Sequence, residues 1–235
     1  MSATAGAKDQ LALAFEHRPA LGAEDFWVAP SNADAVAWID RWRAWARPAL
    51  VLYGPPGCGK THLGHVFLAA TGGAGIAGVD IAAADPALLA EAPAVLVEDA
   101  DRISGAPAER ALLHVYNLIG EAQGRLLLTA RSAPARWPFE LPDLASRLRA
   151  VSTVAIAAPD ESLIGALLVK LFADRHVKVD PAVVAFLVAR MERSFETARQ
   201  LAAALDTAAL AEGRAITVPL AKAALARLSG DGDTF

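Results

Sequence analysis

The sequence predicts an α/β fold in which a parallel five-stranded sheet is followed by a small all-helical lid. Residues 54–61 read Gly-Pro-Pro-Gly-Cys-Gly-Lys-Thr, which is a complete phosphate-binding loop, or P-loop. Strand patterns alternate with helical patterns over residues 49–156, and beyond Pro159 only helical patterns remain. Strands alternating with helices give a parallel sheet whose ligand sites lie at the carboxyl ends of the strands. At 235 residues the chain can bury one substantial core.

The first predicted elements precede the P-loop. Residues 1–24 are rich in Ala and Gly and are predicted to form a loose tail. Ser31 or Asn32 can cap a helix that extends to about Ala46. Three tryptophans recur at helical spacing on this helix and indicate a stripe that faces the core, with stacking on nucleic-acid bases as the alternative role. They are Trp38, Trp42 and Trp45.

Five apolar segments are predicted to form the strands of the sheet. They are residues 49–53, 75–81, 94–97, 125–129 and 151–156. Six further segments are predicted to be helical from their apolar spacing and from Pro or Gly near their ends. They are residues 62–70, 107–124, 160–175, 181–192, 195–212 and 219–228. The predicted organisation is a tail over residues 1–24, a nucleotide-binding base over residues 25–157, a lid over residues 158–229 and a tail over residues 230–235.

The bulk composition limits the class of protein. The net charge of −4 argues against a protein whose main task is to grip nucleic acid. The single cysteine, Cys58, excludes an intrachain disulfide and is typical of a reducing cytosol, so a cytoplasmic location is expected. No secretory signal is predicted. The longest uncharged stretch, residues 61–79, carries five glycines and is not expected to span a membrane.

The P-loop predicts a site for ADP or ATP with Mg²⁺. Its glycines let backbone N–H groups turn towards phosphate oxygens, and the following helix adds the positive end of its dipole. Lys60 is expected to reach the β- and γ-phosphates, and the Thr61 hydroxyl is expected to ligate Mg²⁺. A Gly-rich turn beside a surface lysine is the alternative. The predicted nucleotide-binding residues are Gly54, Pro55, Pro56, Gly57, Cys58, Gly59, Lys60, Thr61 and His62.

Two carboxylates, Glu98 and Asp99, follow the third predicted strand and are the candidate catalytic acids. In a P-loop hydrolase the first acid supports Mg²⁺ and the next orients the attacking water. Here Glu98 stands at the Mg²⁺ position, where Asp is usual. If Asp99 takes that role instead, Ala100 stands where the base should be. Both arrangements predict weak hydrolysis by the chain itself, so whether it is an active ATPase is left open.

Four segments resemble parts of the AAA+ module of the bacterial replication initiator DnaA. They are Phe-Trp-Val-Ala-Pro-Ser-Asn at 26–32, which resembles the opening of the module; Leu-Leu-Thr-Ala-Arg-Ser-Ala-Pro at 127–134, the sensor 1 segment; Leu-Pro-Asp-Leu-Ala-Ser-Arg-Leu at 141–148, the arginine-finger segment; and Thr-Ala-Arg-Gln-Leu at 197–201, the sensor 2 segment. Arg131 departs from the polar or acidic residue expected in sensor 1. The resemblance covers about residues 25–228 and implies a P-loop AAA+ module.

The resemblance also implies roles for two arginines. Arg147 would be a trans-acting arginine finger, a guanidinium offered to the nucleotide of a neighbouring subunit. Arg199 would reach the phosphates of the chain's own nucleotide from the lid. The alternatives are an exposed arginine on an amphipathic turn for Arg147 and a solvated charge on a helix for Arg199.

Residues 10–15, Gln-Leu-Ala-Leu-Ala-Phe, resemble the short motif with which replication proteins dock on the DNA sliding clamp, the β subunit of DNA polymerase III. Gln10 would supply hydrogen bonds, and the three apolar residues would fill a pocket. These three are Leu11, Leu13 and Phe15. No helix-turn-helix segment is predicted after the lid, so no specific DNA binding is expected.

With this tail, the chain resembles the Hda-type proteins, which are DnaA homologues. In that family a clamp-bound protein carrying ADP promotes hydrolysis of the ATP on DnaA and so limits initiation. The resemblance implies the sliding clamp and DnaA as partners, and it leaves homo-oligomerisation open. A helicase-loader-like or transposition-helper ATPase is the second reading, and the negative net charge weakens its DNA-centred versions. A metabolic or motor P-loop enzyme is the third, and no added substrate domain is predicted for it.

Overall fold

The computed structural model describes residues 16–18 and 26–230. Two short strands, β1 (Glu16–Arg18) and β2 (Phe26–Val28), form an antiparallel pair in which Glu16 lies opposite Val28. The sequence analysis placed residues 16–18 in a loose tail and did not predict this pair, because three residues are too few to show strand alternation.

Helix α1 (Ala33–Asp40) is shorter than predicted and is followed by a 3₁₀ turn over Trp42–Ala44. The indole Nε1 of Trp45 donates to the carbonyl of Trp38 at 2.9 Å. A continuing helix would need that carbonyl for residue 42, so the indole contact accompanies the end of α1. Trp45 is buried and stacks on Phe67 at a centroid distance of 5.5 Å. The predicted core stripe is confirmed, with Trp45 buried and the other two tryptophans half-buried against the same cluster.

The main sheet has five parallel strands, which confirms the predicted fold class. They are β3 (Ala49–Tyr53), β4 (Ala74–Ala77), β5 (Ala94–Glu98), β6 (Arg125–Ala130) and β7 (Ser152–Ala155). Their order is β4-β5-β6-β3-β7. The strand before the P-loop, β3, pairs in parallel with β6 on one side and β7 on the other. The P-loop therefore leaves the sheet from an interior strand.

Strand β4 ends earlier than predicted. The predicted strand extends to Ile81, but the chain turns into a 3₁₀ helix over Gly78–Ala83. A Cβ at Gly78 would lie 2.9 Å from the carbonyl oxygens of both Glu98 and Asp99. The backbone therefore crosses closely over the end of β5 at a position where only glycine fits. Ile81 is fully buried all the same, which explains why its apolar character resembled that of a strand.

Helices cover both faces of the sheet. They are α2 (Lys60–Thr71), α3 (Pro86–Ala90), α4 (Ala106–Glu121) and α5 (Pro142–Arg149). Helix α4 packs against Val51, Val97 and Leu128 on one face, whereas α1 and α2 pack against Leu50 and Leu127 on the other. Strands buried on both faces read as continuous apolar runs, and this is the pattern that identified them in the sequence.

Four helices after the sheet form the predicted lid. They are α6 (Glu161–Asp174), α7 (Pro181–Val188), α8 (Phe195–Glu212) and α9 (Val218–Gly230). They enclose a core of their own that includes Phe172, Leu187 and Leu205. The side chains of Asp160 and Ser194 cap α6 and α8 by accepting backbone N–H groups. None of the helices within the described residues is long and apolar enough to cross a membrane.

Candidate nucleotide-binding site

The P-loop lies between β3 and α2 and is fixed by contacts with its neighbours. The N–H of Gly54 donates to the carbonyl of Ala130 at the end of β6, at 3.2 Å. Gly57 has a φ of +67°, in the left-handed region. A Cβ at Gly57 would also lie 2.2 Å from Oγ of Ser194, which belongs to the lid. Glycine at position 57 is therefore required both by the backbone conformation and by the approach of the lid.

Lys60 is the first residue of α2, and only 8% of it is exposed. Its ammonium donates to the carbonyls of Gly54 and Pro55, both at 2.8 Å. A buried ammonium must be compensated by hydrogen bonds or by opposite charge. The loop carbonyls supply part of that compensation, and a phosphate beside the loop would supply the charge.

Cys58 is buried within the P-loop, with its Sγ 3.8 Å from the ammonium of Lys60. Burial raises the pKa of the Cys58 thiol, and the charge of Lys60 opposes that rise in part. The thiol therefore stays protonated at neutral pH and packs as a small apolar side chain in the cluster with Leu52 and Ile156.

A cleft of about 360 Å³ lies between the P-loop and the lid. Its lining residues come from the loop, the start of α2 and the start of α8. They are Gly57, Gly59, Lys60, Thr61, His62, His65, Phe195, Glu196 and Arg199. The N–H of Phe195 donates to the carbonyl of Gly57 at 2.9 Å, so a main-chain hydrogen bond joins the lid to the loop. The structure thus brings the predicted Lys60, Thr61 and Arg199 to one cleft.

The cleft residues suit a phosphate ligand. Backbone N–H groups at the start of α2 and the cations of Lys60 and Arg199 are the groups that bind phosphate in proteins. The exposed Thr61 offers the hydroxyl that Mg²⁺ takes in P-loop sites, where phosphate oxygens and water complete the shell. The described residues contain no cluster of three or more acidic, His or Cys side chains that would hold a metal without such a ligand.

The two candidate acids lie outside this cleft. Among the described residues that line it, neither Glu98 nor Asp99 appears. Asp99 has a φ of +50°, and its N–H donates to Oγ1 of Thr129 at 3.2 Å. The carboxylate of Asp99 faces the guanidinium of Arg102 at 3.8 Å. The backbone of Asp99 is therefore held by β6, and its exposed carboxylate lies near a neighbouring arginine.

The sensor 1 segment contacts the turn after β5 through the hydroxyl of Thr129 and the backbone N–H of Arg131. The N–H of Arg131 donates to Oδ2 of Asp101 at 3.0 Å, and the Arg131 residue is exposed. Thr129, buried in β6, and Asp101 thus connect β6 with the end of β5. The sequence analysis missed both residues, as well as Ser194, which packs on Gly57. The contact of Ser194 with the loop joins positions that are distant in the sequence and has no local signal.

Arg147 lies at a different place on the molecule. Its Nε donates to the carboxylate of Asp143 at 2.9 Å, and its guanidinium lies 5.9 Å from the centre of the Tyr116 ring. It lines a second pocket, of about 470 Å³, against the exposed end of α4. Within the described residues, no part of α5 lines the P-loop cleft. The structure therefore separates Arg147 from Lys60 and Arg199.

The predicted clamp-binding residues Gln10, Leu11, Leu13 and Phe15 lie outside the described residues. Their role stays a prediction.

Comparison with known proteins finds similarity in the lid and in the whole fold. Residues 160–225 match the family model described as the lid domain of Hda. Domain III of the replication initiation protein DnaA from Thermotoga maritima superposes with a TM-score of 0.73 at 17% identity, covering 86% of this chain and 94% of that one. No curated protein matches the chain.

Two longer proteins of known structure also match. A DNA replication initiation factor gives a TM-score of 0.66 at 16% identity over 74% of this chain, and AMPPCP-bound DnaA from Aquifex aeolicus gives 0.63 at 17% identity over 72%. The chain spans 60% and 59% of the lengths of these two proteins. At such identities the similarity establishes the fold, which is that of the AAA+ domain of DnaA.

Proposed function

The chain is an Hda-type, DnaA-homologous AAA+ protein, and from this premise we propose that it binds ADP or ATP with Mg²⁺, docks on the DNA sliding clamp and promotes hydrolysis of ATP bound to DnaA. Under this proposal the base spans residues 25–157 and the lid spans residues 158–229. The protein acts in the cytoplasm as a negative regulator of replication initiation. No sequence-specific DNA binding is expected, because the net charge is −4.

The proposed nucleotide site is the cleft between the P-loop and the lid. The relatives of known structure include DnaA bound to AMPPCP and a FIGL-1 AAA domain in complex with ADP, which supports an adenine nucleotide as the ligand. Lys60 would contact the β- and γ-phosphates from the loop, and Arg199 would contact them from the lid. Thr61, with Glu98 as a further candidate, would support Mg²⁺, which in such sites neutralises charge that develops on the phosphates.

One observation carries the proposed action on a partner: the two groups of cations lie at different places. Lys60 and Arg199 line the chain's own cleft, whereas Arg147 lines a separate pocket on α4 and α5. An arginine that stabilises charge in phosphoryl transfer must contact the nucleotide. In this chain Arg147 is therefore suited to a nucleotide held by a neighbour, and we assign that neighbour as DnaA.

Weak hydrolysis by the chain itself agrees with the geometry of the two acids. A catalytic carboxylate must lie within hydrogen-bond reach of the water that it orients. Among the described residues that line the cleft, neither Glu98 nor Asp99 appears, and the backbone of Asp99 is held by Thr129 of β6. We therefore propose that the chain retains its nucleotide and that the hydrolysed ATP is the one on DnaA.

The proposed clamp contact depends on residues 10–15 alone. A tail that binds the clamp would raise the local concentration of the AAA+ module near DnaA on the same DNA. The tail and the cleft would then contribute separately to the overall activity.

The test is an assay of DnaA-bound ATP converted to ADP in the presence of DNA-loaded clamp. We expect Arg147→Ala to lose stimulation by about 10³-fold, because a trans guanidinium contributes on that order to phosphoryl transfer. Nucleotide binding and clamp binding should be retained. Arg147→Lys should not restore activity, since an ammonium cannot present the planar fork of a guanidinium. Wild-type stimulation by Arg147→Ala would exclude the trans role.

A matched control is Arg149→Ala. Arg149 is exposed on the same helix, two residues away, and does not line the pocket that Arg147 lines. We expect this variant to keep most of the stimulation. Equal losses in both variants would indicate a general effect of charge on α5 rather than a specific finger.

A further inference from the structure

Helix α5, which carries Arg147, has no capping side chain of its own. Leu141 stands at its N-cap position and Pro142 is its first residue, so neither offers a side-chain acceptor. The acceptor comes from α4. The carboxylate of Glu109 accepts the N–H of Leu141 at 2.7 Å and the N–H of Glu140 at 3.0 Å.

Glu109 is buried, with 1% of the residue exposed. Among the described residues, Glu109 and Lys60 are the two buried side chains of acidic or basic type. A buried carboxylate is tolerated only where its oxygens are hydrogen-bonded. Here two backbone donors and the positive end of the α5 dipole surround it. Glu109 therefore fixes where the backbone of α5 begins.

Helix α4 also holds α5 at a second point. Tyr116 lies seven residues after Glu109 and hence two turns along the same face of α4. The guanidinium of Arg147 lies 5.9 Å from the centre of its ring. On α5, Leu144 and Leu148 are fully buried in a hydrophobic cluster that also contains residues of α4. The Glu109 contact sets the start of α5, and the packing sets its rotation.

We propose that Glu109 is a positioning residue for Arg147: by accepting the N–H groups of Glu140 and Leu141 it sets the position from which the finger reaches the nucleotide on a partner. This inference rests on the proposed trans role of Arg147. Displacement of a reacting group by about 1 Å can cost on the order of 10²-fold in rate, so a helix that is free to shift would lose much of its effect.

Two substitutions at Glu109 separate positioning from folding. Glu109→Leu fills the buried space but leaves two backbone donors without an acceptor. Glu109→Gln removes the charge and turns one oxygen into an NH2 donor, but it retains an oxygen that can accept both N–H groups as Oε2 does. Ile119→Ala, which removes buried apolar volume from the same helix, is the control for loss of stability alone.

The first measurement follows α5 directly and needs no partner. Nitroxide labels at Ser146→Cys on α5 and His114→Cys on α4 occupy exposed positions, and the one native cysteine, Cys58, is buried. Pulsed electron paramagnetic resonance should give a shifted or broadened distance distribution in Glu109→Leu. The distribution should match that of the parent in Glu109→Gln and in Ile119→Ala. An unchanged distribution in Glu109→Leu would overturn the inference.

The second measurement is the stimulated hydrolysis of DnaA-bound ATP by unlabelled protein. We expect Glu109→Leu to lower the maximal rate by about 10-fold to 100-fold, with the half-maximal concentration of DnaA changed by less than about twofold. Glu109→Gln should restore most of the rate. Full activity of Glu109→Leu despite a displaced α5, or an equal loss in Ile119→Ala, would overturn the positioning role.

The two measurements distinguish this inference from the proposed function. If Arg147→Ala kept wild-type stimulation, the trans role of Arg147 would be excluded, and the positioning role of Glu109 with it, whatever the distances between the labels. If Arg147→Ala lost stimulation while Glu109→Leu kept it, the proposed function would stand and only the role of Glu109 would be excluded.

Discussion

The cations at the P-loop and on α5 are held in opposite ways. The ammonium of Lys60 is buried and bound by two loop carbonyls at 2.8 Å. The side chain of Arg147 is 42% exposed and paired with Asp143 one helical turn away. Exposed ion pairs contribute about 0–1 kcal/mol, so Arg147 can exchange its carboxylate for a phosphate at little cost. Lys60, which is proposed to bind the chain's own nucleotide, is held in place, whereas Arg147, which is proposed to bind a partner's nucleotide, can change its ion-pair partner.

The strongest test of the fixed site is Lys60→Ala. We expect affinity for ADP and ATP to fall by about 100-fold or more, because hydrogen bonds to charged groups contribute about 1.5–3 kcal/mol each. Isothermal titration calorimetry measures this directly. Lys170→Ala is the control, since that lysine pairs with Asp174 in the lid, outside the cleft. Unchanged affinity in Lys60→Ala would exclude the cleft as the nucleotide site.

The third test concerns the predicted clamp-binding segment, residues 10–15, whose substitution should change clamp binding without changing nucleotide binding. We expect Gln10→Ala, or Leu13→Ala combined with Phe15→Ala, to abolish clamp binding while leaving nucleotide affinity unchanged. The sequence predicts that residues 1–24 form a tail, and docking by such a tail would be thermodynamically independent of the nucleotide site. Surface plasmon resonance on immobilised clamp checks the first part and calorimetry the second. Clamp affinity equal to that of the wild type would show that this segment does not dock.

A smaller effect is expected where the lid meets the loop. Gly57→Ala should weaken nucleotide binding by about tenfold, because its Cβ would clash with Ser194 and because Ala at positive φ is strained by about 1 kcal/mol. Gly72→Ala is a closely matched control: its φ is +68°, but nothing lies within 4 Å of the new Cβ. Equal affinities in the two variants would show that contact with the lid does not matter.

The smallest predicted effect concerns the start of the lid. The N–H of Leu163 and the hydroxyl of Ser162 donate to Asp160 and hold the pKa of that carboxyl below its usual range. A lowered pKa in the folded state stabilises the fold above the unfolded pKa, about 3.9, and that stabilisation is lost as pH falls through the folded pKa. We expect Asp160→Ala to cost about 1 kcal/mol at pH 7, a difference that shrinks in acid below about pH 4.

Urea unfolding at several pH values measures that difference. Asp160→Asn, which still caps the helix without a charge, should stay close to the wild type at pH 7 and should lack the acid-dependent loss. A constant difference between wild type and Asp160→Ala down to the acid limit would contradict the assignment.

The parts of the fold predicted from the sequence are those with local signals. The bounds of β3 and of α8 agree with the predicted segments, because a P-loop follows the one and a glycine ends the other. The fold class followed from the order of these elements. The early end of β4 could not be predicted, because it depends on the carbonyls of Glu98 and Asp99, which are distant in sequence.

In the candidate site too, residues with a local motif were predicted, and contacts between distant residues were not. Lys60 and Thr61 followed from a motif, and Arg199 from a resemblance, and the structure places all three at one cleft. The hydrogen bond between Thr129 and Asp99 joins positions 30 residues apart and has no signature in a single sequence. Glu109 was missed for a related reason, because an isolated glutamate on a helix is typical of a solvated face.

The hydrogen bond between the P-loop and the lid restricts substitution at one of its two residues more than at the other. Its donor is the backbone N–H of Phe195, which every residue except proline possesses. Its acceptor belongs to Gly57, where any side chain would meet Ser194. For this hydrogen bond alone, any residue except proline can replace Phe195, whereas Gly57 cannot be replaced. Two residues joined by one bond would carry very different mutational tolerance, and Phe195→Pro is the one exchange on the lid side that removes the bond itself.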